Sequence, residues 1–206
     1  MPDLRRRLPR RLFQLYAGLV AFAFGEALII QAGIGVMSWD VLHQGLAKNL
    51  GLSIGQWSII VGALVLLLWV PMREKPGLGT LSNVIVIGPC LDLFLGWVPV
   101  ATSMGWRVAM LVLGIVINGV STAAYIGARL GSGPRDGLMT GLVRLTRWPV
   151  GGIRTLIEVS VVVVGYLLGG NLGAGTLLFV LTIGPIVHVF LPRLIVNAGP
   201  DADTGR

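Results

Sequence analysis

Six apolar runs, each of roughly twenty residues, decide what this chain can fold into. They lie at 11–31, 53–71, 80–98, 106–127, 150–168 and 175–191. A helix of ~20 residues crosses the ~30 Å hydrocarbon core of a bilayer. Only helices and closed barrels satisfy their backbone groups there. The runs are continuous and do not alternate with period two, which argues against a barrel and predicts an all-α polytopic membrane protein. Composition agrees: 54% of residues are hydrophobic, 12% are charged and 30 are glycine, with mean hydropathy +0.84. The single Cys90 rules out an intrachain disulfide framework.

The runs fall into two sets of three. Gly35-Val36-Met37-Ser38-Trp39-Asp40-Val41-Leu42-His43-Gln44-Gly45-Leu46 returns 96 residues later as Gly131-Ser132-Gly133-Pro134-Arg135-Asp136-Gly137-Leu138-Met139-Thr140-Gly141-Leu142. The same ungapped offset aligns Gly77, Gly79 and Thr80 with Gly173, Gly175 and Thr176, and Ile87-Gly88-Pro89 with Ile183-Gly184-Pro185. Across 35–95 and 131–191, 17 of 61 positions are identical, against roughly a tenth expected from so biased a composition, so an internal repeat is the better explanation. The expected organisation is a basic tail at 1–10, one repeat at 11–98, a second at 106–193 and a polar tail at 194–206. Three spans per repeat is an odd number, so the second copy enters the membrane upside down, as in many secondary transporters. Each repeat also carries a short Gly-rich helix, re-entrant or interfacial, at 32–52 and 128–148.

Charge sets the orientation. With the N-terminus in the cytoplasm, the inner segments hold Arg5, Arg6, Arg7, Arg10, Arg11, Arg73, Lys75, Arg129, Arg135, Arg144, Arg147, Arg193 and Arg206, and the outer ones only Lys48 and Arg107. That bias follows the positive-inside rule and places both termini in the cytoplasm of a bacterial plasma membrane. The net charge of +7 is thereby accounted for next to apolar runs, where it faces the lipid bilayer rather than nucleic acid. A twin-Arg export signal at Arg10-Arg11 is the less favoured reading, because no good cleavage site follows and the run recurs later as a span.

Ionisable groups inside the runs are expensive and mark candidate sites. Glu26 lies in the first span, with Asn118 and Thr122 on the matching part of the fourth. Arg154 and Glu158 stand four apart on one helix face, either as a structural ion pair or as part of a cavity wall. Asp40 and Asp136 start the short helices, where they cap free N–H groups or hold a half-helix with its N-terminus toward a site. His43 is placed to pair with Asp40, but two residues make no metal site, so no metal and no other cofactor is expected. Asp92 and His188 occupy equivalent positions just after Gly88-Pro89 and Gly184-Pro185, which are expected to bend or interrupt their helices. Solvated interface positions or an ion or proton relay are the two readings of that pair.

These residues resemble the YczE/YyaS/YitT family of bacterial integral membrane proteins, and its YczE-like branch in particular. The likeness rests on Trp39-Asp40-Val41-Leu42-His43-Gln44-Gly45-Leu46, on Gly133-Pro134-Arg135-Asp136-Gly137-Leu138-Met139, on Arg154-Thr155 with Glu158, and on Gly175-Thr176 to Gly184-Pro185. Ser38 departs from the proline expected by analogy with Pro134. The resemblance implies a multi-span plasma-membrane protein and supplies no substrate. No catalytic residue is assigned: nucleophile elbow, phosphate-binding loop, Cys-X-X-Cys pair and dinucleotide fingerprint are all missing from the sequence. The expected function is a small secondary transporter or permease for an unknown small solute or ion. The alternative is a non-transporting scaffold or accessory subunit bound to a membrane partner, and either accommodates a homo-oligomer.

Overall fold

The computed structural model describes residues 7–196, all helix and connecting loop. Arg5 and Arg6 of the basic tail and residues 197–206 of the polar tail lie outside the described residues. The helices are α1 (Leu8–Ala32), α2 (Ser38–Leu50), α3 (Ile54–Met72), α4 (Leu78–Trp97), α5 (Met104–Gly127), α6 (Pro134–Thr146), α7 (Val150–Leu167) and α8 (Ala174–Leu194). All but α2 and α6 are long and apolar enough to cross a membrane, six helices in total. α1 begins three residues before the expected span. Pro9 sits in its first turn, where a missing N–H costs nothing.

α1 and α5 form the centre and the others lean on them. α1 packs on α4 and α5, α5 on α8, and α2 and α6 each fill the space between α3 and α7. The central crossing is close because both helices present glycine. A side chain on Gly25 would strike the Gly114 carbonyl, and one on Gly114 would strike that of Gly25. Small residues admit such backbone approach, a main source of helix association in lipid. Large apolar residues instead cover the outer faces of α3, α4, α7 and α8, among them Leu67, Ile85, Val163, Leu177 and Leu181. In water this belt would drive aggregation; in lipid it is solvated.

Helix bounds and packing repeat at the same spacing of 96. Ser38–Leu50 corresponds to Pro134–Thr146, and exchanging the halves turns α1·α4 into α5·α8 and α2·α7 into α6·α3. Individual bonds follow. Gly79 N–H donates to the Leu130 carbonyl, and Gly175 N–H to that of Ile34, each at 2.8 Å. The first of these joints is reinforced by buried Thr80, whose hydroxyl donates to the Ser132 carbonyl at 2.7 Å and accepts from Gly77 N–H at 3.2 Å. Among the described residues the Thr176 hydroxyl accepts only the long 3.4 Å bond from Gly173. Thr80→Val is therefore expected to cost about 1–3 kcal/mol and Thr176→Val less, readable as thermal midpoints in one detergent, with Thr80→Ser recovering most of the loss.

Two expectations need correction. Gly88-Pro89 and Gly184-Pro185 do not break their helices, since α4 and α8 run through them. Proline removes one i→i−4 bond, and neighbouring helices and local adjustment absorb that loss within a membrane bundle. Nor is Asp40 or Asp136 an N-cap: those positions are Met37 and Gly133, and each Asp stands inside the first turn. Its negative charge still suits the helix N-terminus.

The halves differ in one contact. α3 packs on α4, and a side chain at Gly55 or Gly88 would collide with the other's carbonyl. The corresponding Gly151 and Gly184 have nothing within 4 Å of where a side chain would begin, among the described residues, and α7 makes no comparable packing with α8.

Candidate functional site

Between the halves lies a cavity of about 210 Å³, lined from all eight helices. Its walls are paired at the repeat spacing. Phe22 faces it with Asn118, Glu26 with Thr122, and Trp39 with Arg135. His43 corresponds to Met139, Ser58 to Arg154 and Gly62 to Glu158. The pairing is in position and not in chemistry: Glu26, Arg135, Arg154 and Glu158 each have a neutral or apolar counterpart, while Asp136 corresponds to Asp40.

Glu26 reaches the cavity from the C-terminal third of α1 and is only 1% exposed. It meets α2 there. Its carboxylate, that of Asp40 and a ring nitrogen of His43 lie within 4.8 Å of one another. Asp40 is 0% exposed, and one of its oxygens stands 3.2 Å from His43 Nδ1. Glu26 Oε2 and Asp40 Oδ2 have no hydrogen-bond partner among the described residues. The sequence offered two adjacent ligand types; the fold brings a third from another helix. Burial pushes the His43 imidazole below its ordinary pKa, against the opposing pull of Asp40.

The second half supplies the cations. Arg135 stacks on the Trp39 indole, its guanidinium carbon 4.7 Å from the ring centroid, a cation–π contact joining two equivalent positions. Trp39, 5% exposed, is thus part of the cavity wall and not a membrane-interface anchor. Asp136 sits next in the chain. Burial raises its pKa, and Arg135, the Gly133 N–H and Arg154 act in the other direction. Arg154 and Glu158 both line the cavity from α7, and no salt bridge joins them among the described residues. The wall placement, not the ion pair, is what the structure displays for them.

Asp92 and His188 are not brought to the cavity. Asp92 accepts from Ser53 Oγ at 2.5 Å and from Gly55 N–H at 2.9 Å, fastening the start of α3 to the end of α4. His188 is exposed on α8. Trp39, Arg135 and Tyr125 are among the wall residues that sequence reasoning did not assign. For the first two the signal was present: the offset that pairs Asp40 with Asp136 pairs Trp39 with Arg135.

Six membrane-length helices around a charged internal cavity define a polytopic integral membrane protein. The chain belongs to the family of unknown function DUF6198, which matches residues 9–192. An uncharacterized protein of Haemophilus influenzae is 38% identical over 177 residues, covering 86% of this chain and 81% of its own. The uncharacterized membrane protein YczE of Bacillus subtilis is 34% identical over 194 residues, covering 93% and 90%. The uncharacterized protein YyaS of the same organism is 31% identical over 179 residues, covering 85% and 89%. The YczE/YyaS likeness read from the motifs holds. No solved structure matches.

Proposed function

We propose that this protein is a small secondary transporter or permease of the bacterial plasma membrane, carrying a small solute or ion through the cavity between two inverted three-span repeats. It is not an enzyme on this reading. The carrying observation is the unequal closure of a nearly symmetric cavity: α3 meets α4 through Gly55 and Gly88, while Gly151 and Gly184 stand free. Inverted repeats interconvert by exchanging such contacts. With both termini cytoplasmic, as the arginine bias favours, the Gly55–Gly88 seam lies at the outer end and the Gly151–Gly184 gap at the inner end. The cavity is then closed outside and open inside, and the opposite state would close Gly151 on Gly184. α2 and α6 act as re-entrant half-helices whose N-terminal turns deliver Trp39, Asp40, Arg135 and Asp136 to the site.

Uptake into proteoliposomes tests this. A panel of inorganic cations, anions and amino-acid zwitterions should contain at least one solute that accumulates beyond protein-free vesicles. Arg154→Gln or Glu158→Gln should slow that uptake by about tenfold, the weight of one ~1.4 kcal/mol interaction. No accumulation across the panel, with Glu26→Gln and Glu158→Gln silent in cells, would overturn it.

A further inference from the structure

We infer that Glu26, Asp40 and His43 form a binding site for one divalent first-row transition-metal cation. The three groups come from two helices, α1 and α2, with ligand atoms within 4.8 Å of one another. Metal–ligand bonds of ~2.0–2.2 Å let a single ion gather atoms so spaced with small side-chain movements. Two of the groups are carboxylates, which when ionised only accept hydrogen bonds. Glu26 Oε2 and Asp40 Oδ2 therefore face one another's neighbourhood without a donor among the described residues, in a place where both side chains are almost fully buried. Like charges buried side by side are relieved by a shared proton or by a bound cation. Asn118 Oδ1, also buried and without a partner among the described residues, adds a neutral oxygen to the same cavity.

Formal charge points the same way. Counted with every group ionised, Glu26, Asp40, Asp136 and Glu158 stand against Arg135 and Arg154, four carboxylates to two guanidiniums, which leaves −2. A divalent cation balances this. Arg135 stacks on the Trp39 face and stands near Asp136 as well as the Glu26, Asp40 and His43 group, so its single charge is shared between them. The ligand set selects the class of ion. Two carboxylates alone would suit Mg²⁺ or Ca²⁺, while an imidazole nitrogen favours Mn²⁺, Fe²⁺ or Zn²⁺. An ion can be held here without being carried, so the inference survives failure of the transport reading, and its test measures binding alone.

The full chain, purified through a tag without histidine, is titrated with Mn²⁺ and examined by pulsed electron paramagnetic resonance. One Mn²⁺ per chain is expected, with the ¹⁴N modulation of a directly bound imidazole. The sequence has two histidines, so His188→Gln should keep that modulation and His43→Gln should remove it. Glu26→Gln and His43→Gln should each weaken Mn²⁺ binding by at least ~10-fold. Zn²⁺ should displace Mn²⁺ at concentrations where Ca²⁺ does not. Wild-type protein that binds no stoichiometric Mn²⁺, or binds it without nitrogen coordination, overturns the inference whether or not the variants fold. So does displacement by Ca²⁺ as readily as by Zn²⁺, or a nitrogen signal that follows His188.

Discussion

Gly114→Leu is expected to cost the bundle its fold. A side chain at this position would begin 2.7 Å from the Gly25 carbonyl oxygen and 2.7 Å from Ile29 Cγ1. Overpacking usually costs about 1–3 kcal/mol because neighbouring side chains can yield. Here the main obstacle is the backbone of α1, so α1 and α5 must separate and surrender the most extensive helix packing in the bundle. Gly25→Leu should act alike, since its side chain would meet the Gly114 carbonyl at 2.9 Å and Asn118 N at 3.1 Å. Gly96 and Gly105 have nothing within 4 Å, and leucine there should be tolerated. The readout is the yield of monodisperse protein and its thermal midpoint in a fixed detergent. A Gly114→Leu protein as abundant and as stable as Gly105→Leu would show that α1 and α5 do not cross as described.

The largest functional effect is expected from Asp92→Ala. Asp92 holds Ser53 Oγ and Gly55 N–H, and the seam between α3 and α4 runs beside those bonds through Gly55 and Gly88. Hydrogen bonds to a charged group contribute roughly 1.5–3 kcal/mol each. Losing two shifts an equilibrium between closed and open seams by about 100-fold or more, since ~1.4 kcal/mol is a factor of ten. The equivalent positions in the other half are Pro149, Gly151 and His188, which make no such fastening among the described residues. In a Cys90→Ser background, Thr122→Cys reports from the cavity wall. A membrane-impermeant maleimide added outside right-side-out vesicles should leave it unlabelled until Asp92→Ala is introduced. Equal labelling with and without Asp92 would remove the seam from the mechanism.

Much of this was legible in the chain because lipid narrows the choices. Continuous apolar runs have one solution as spans, and a constant offset shows where the second set begins. Some candidate residues were legible for the same reason: Glu26, Arg154 and Glu158 are costly where they stand, and cost marks them, while the offset of 96 marks Asp40 and Asp136. What the sequence could not convey was which of them meet. Glu26 joins Asp40 and His43 only because glycines draw α1 against α5 and α2 packs between α3 and α7, both long-range events. The pair Asp92 and His188 misled in another way. Their equivalent positions suggested a shared relay, yet only Asp92 has a hydroxyl to accept from, because Ser53 precedes α3 where Pro149 precedes α7. Gly-Pro in mid-helix likewise resembled a break on propensity alone, and packing overrode it.

A pair of distance measurements tests alternating closure most directly. Spin labels at Leu52 and Trp97 bracket the seam between α3 and α4, and labels at Trp148 and Arg193 bracket the matching gap between α7 and α8. All four positions are exposed. In proteoliposomes, alternating closure predicts a shorter distance for the first pair than for the second, and an exchange of the two distributions in Asp92→Ala protein. Equal distances for both pairs, unmoved by Asp92→Ala, would contradict it.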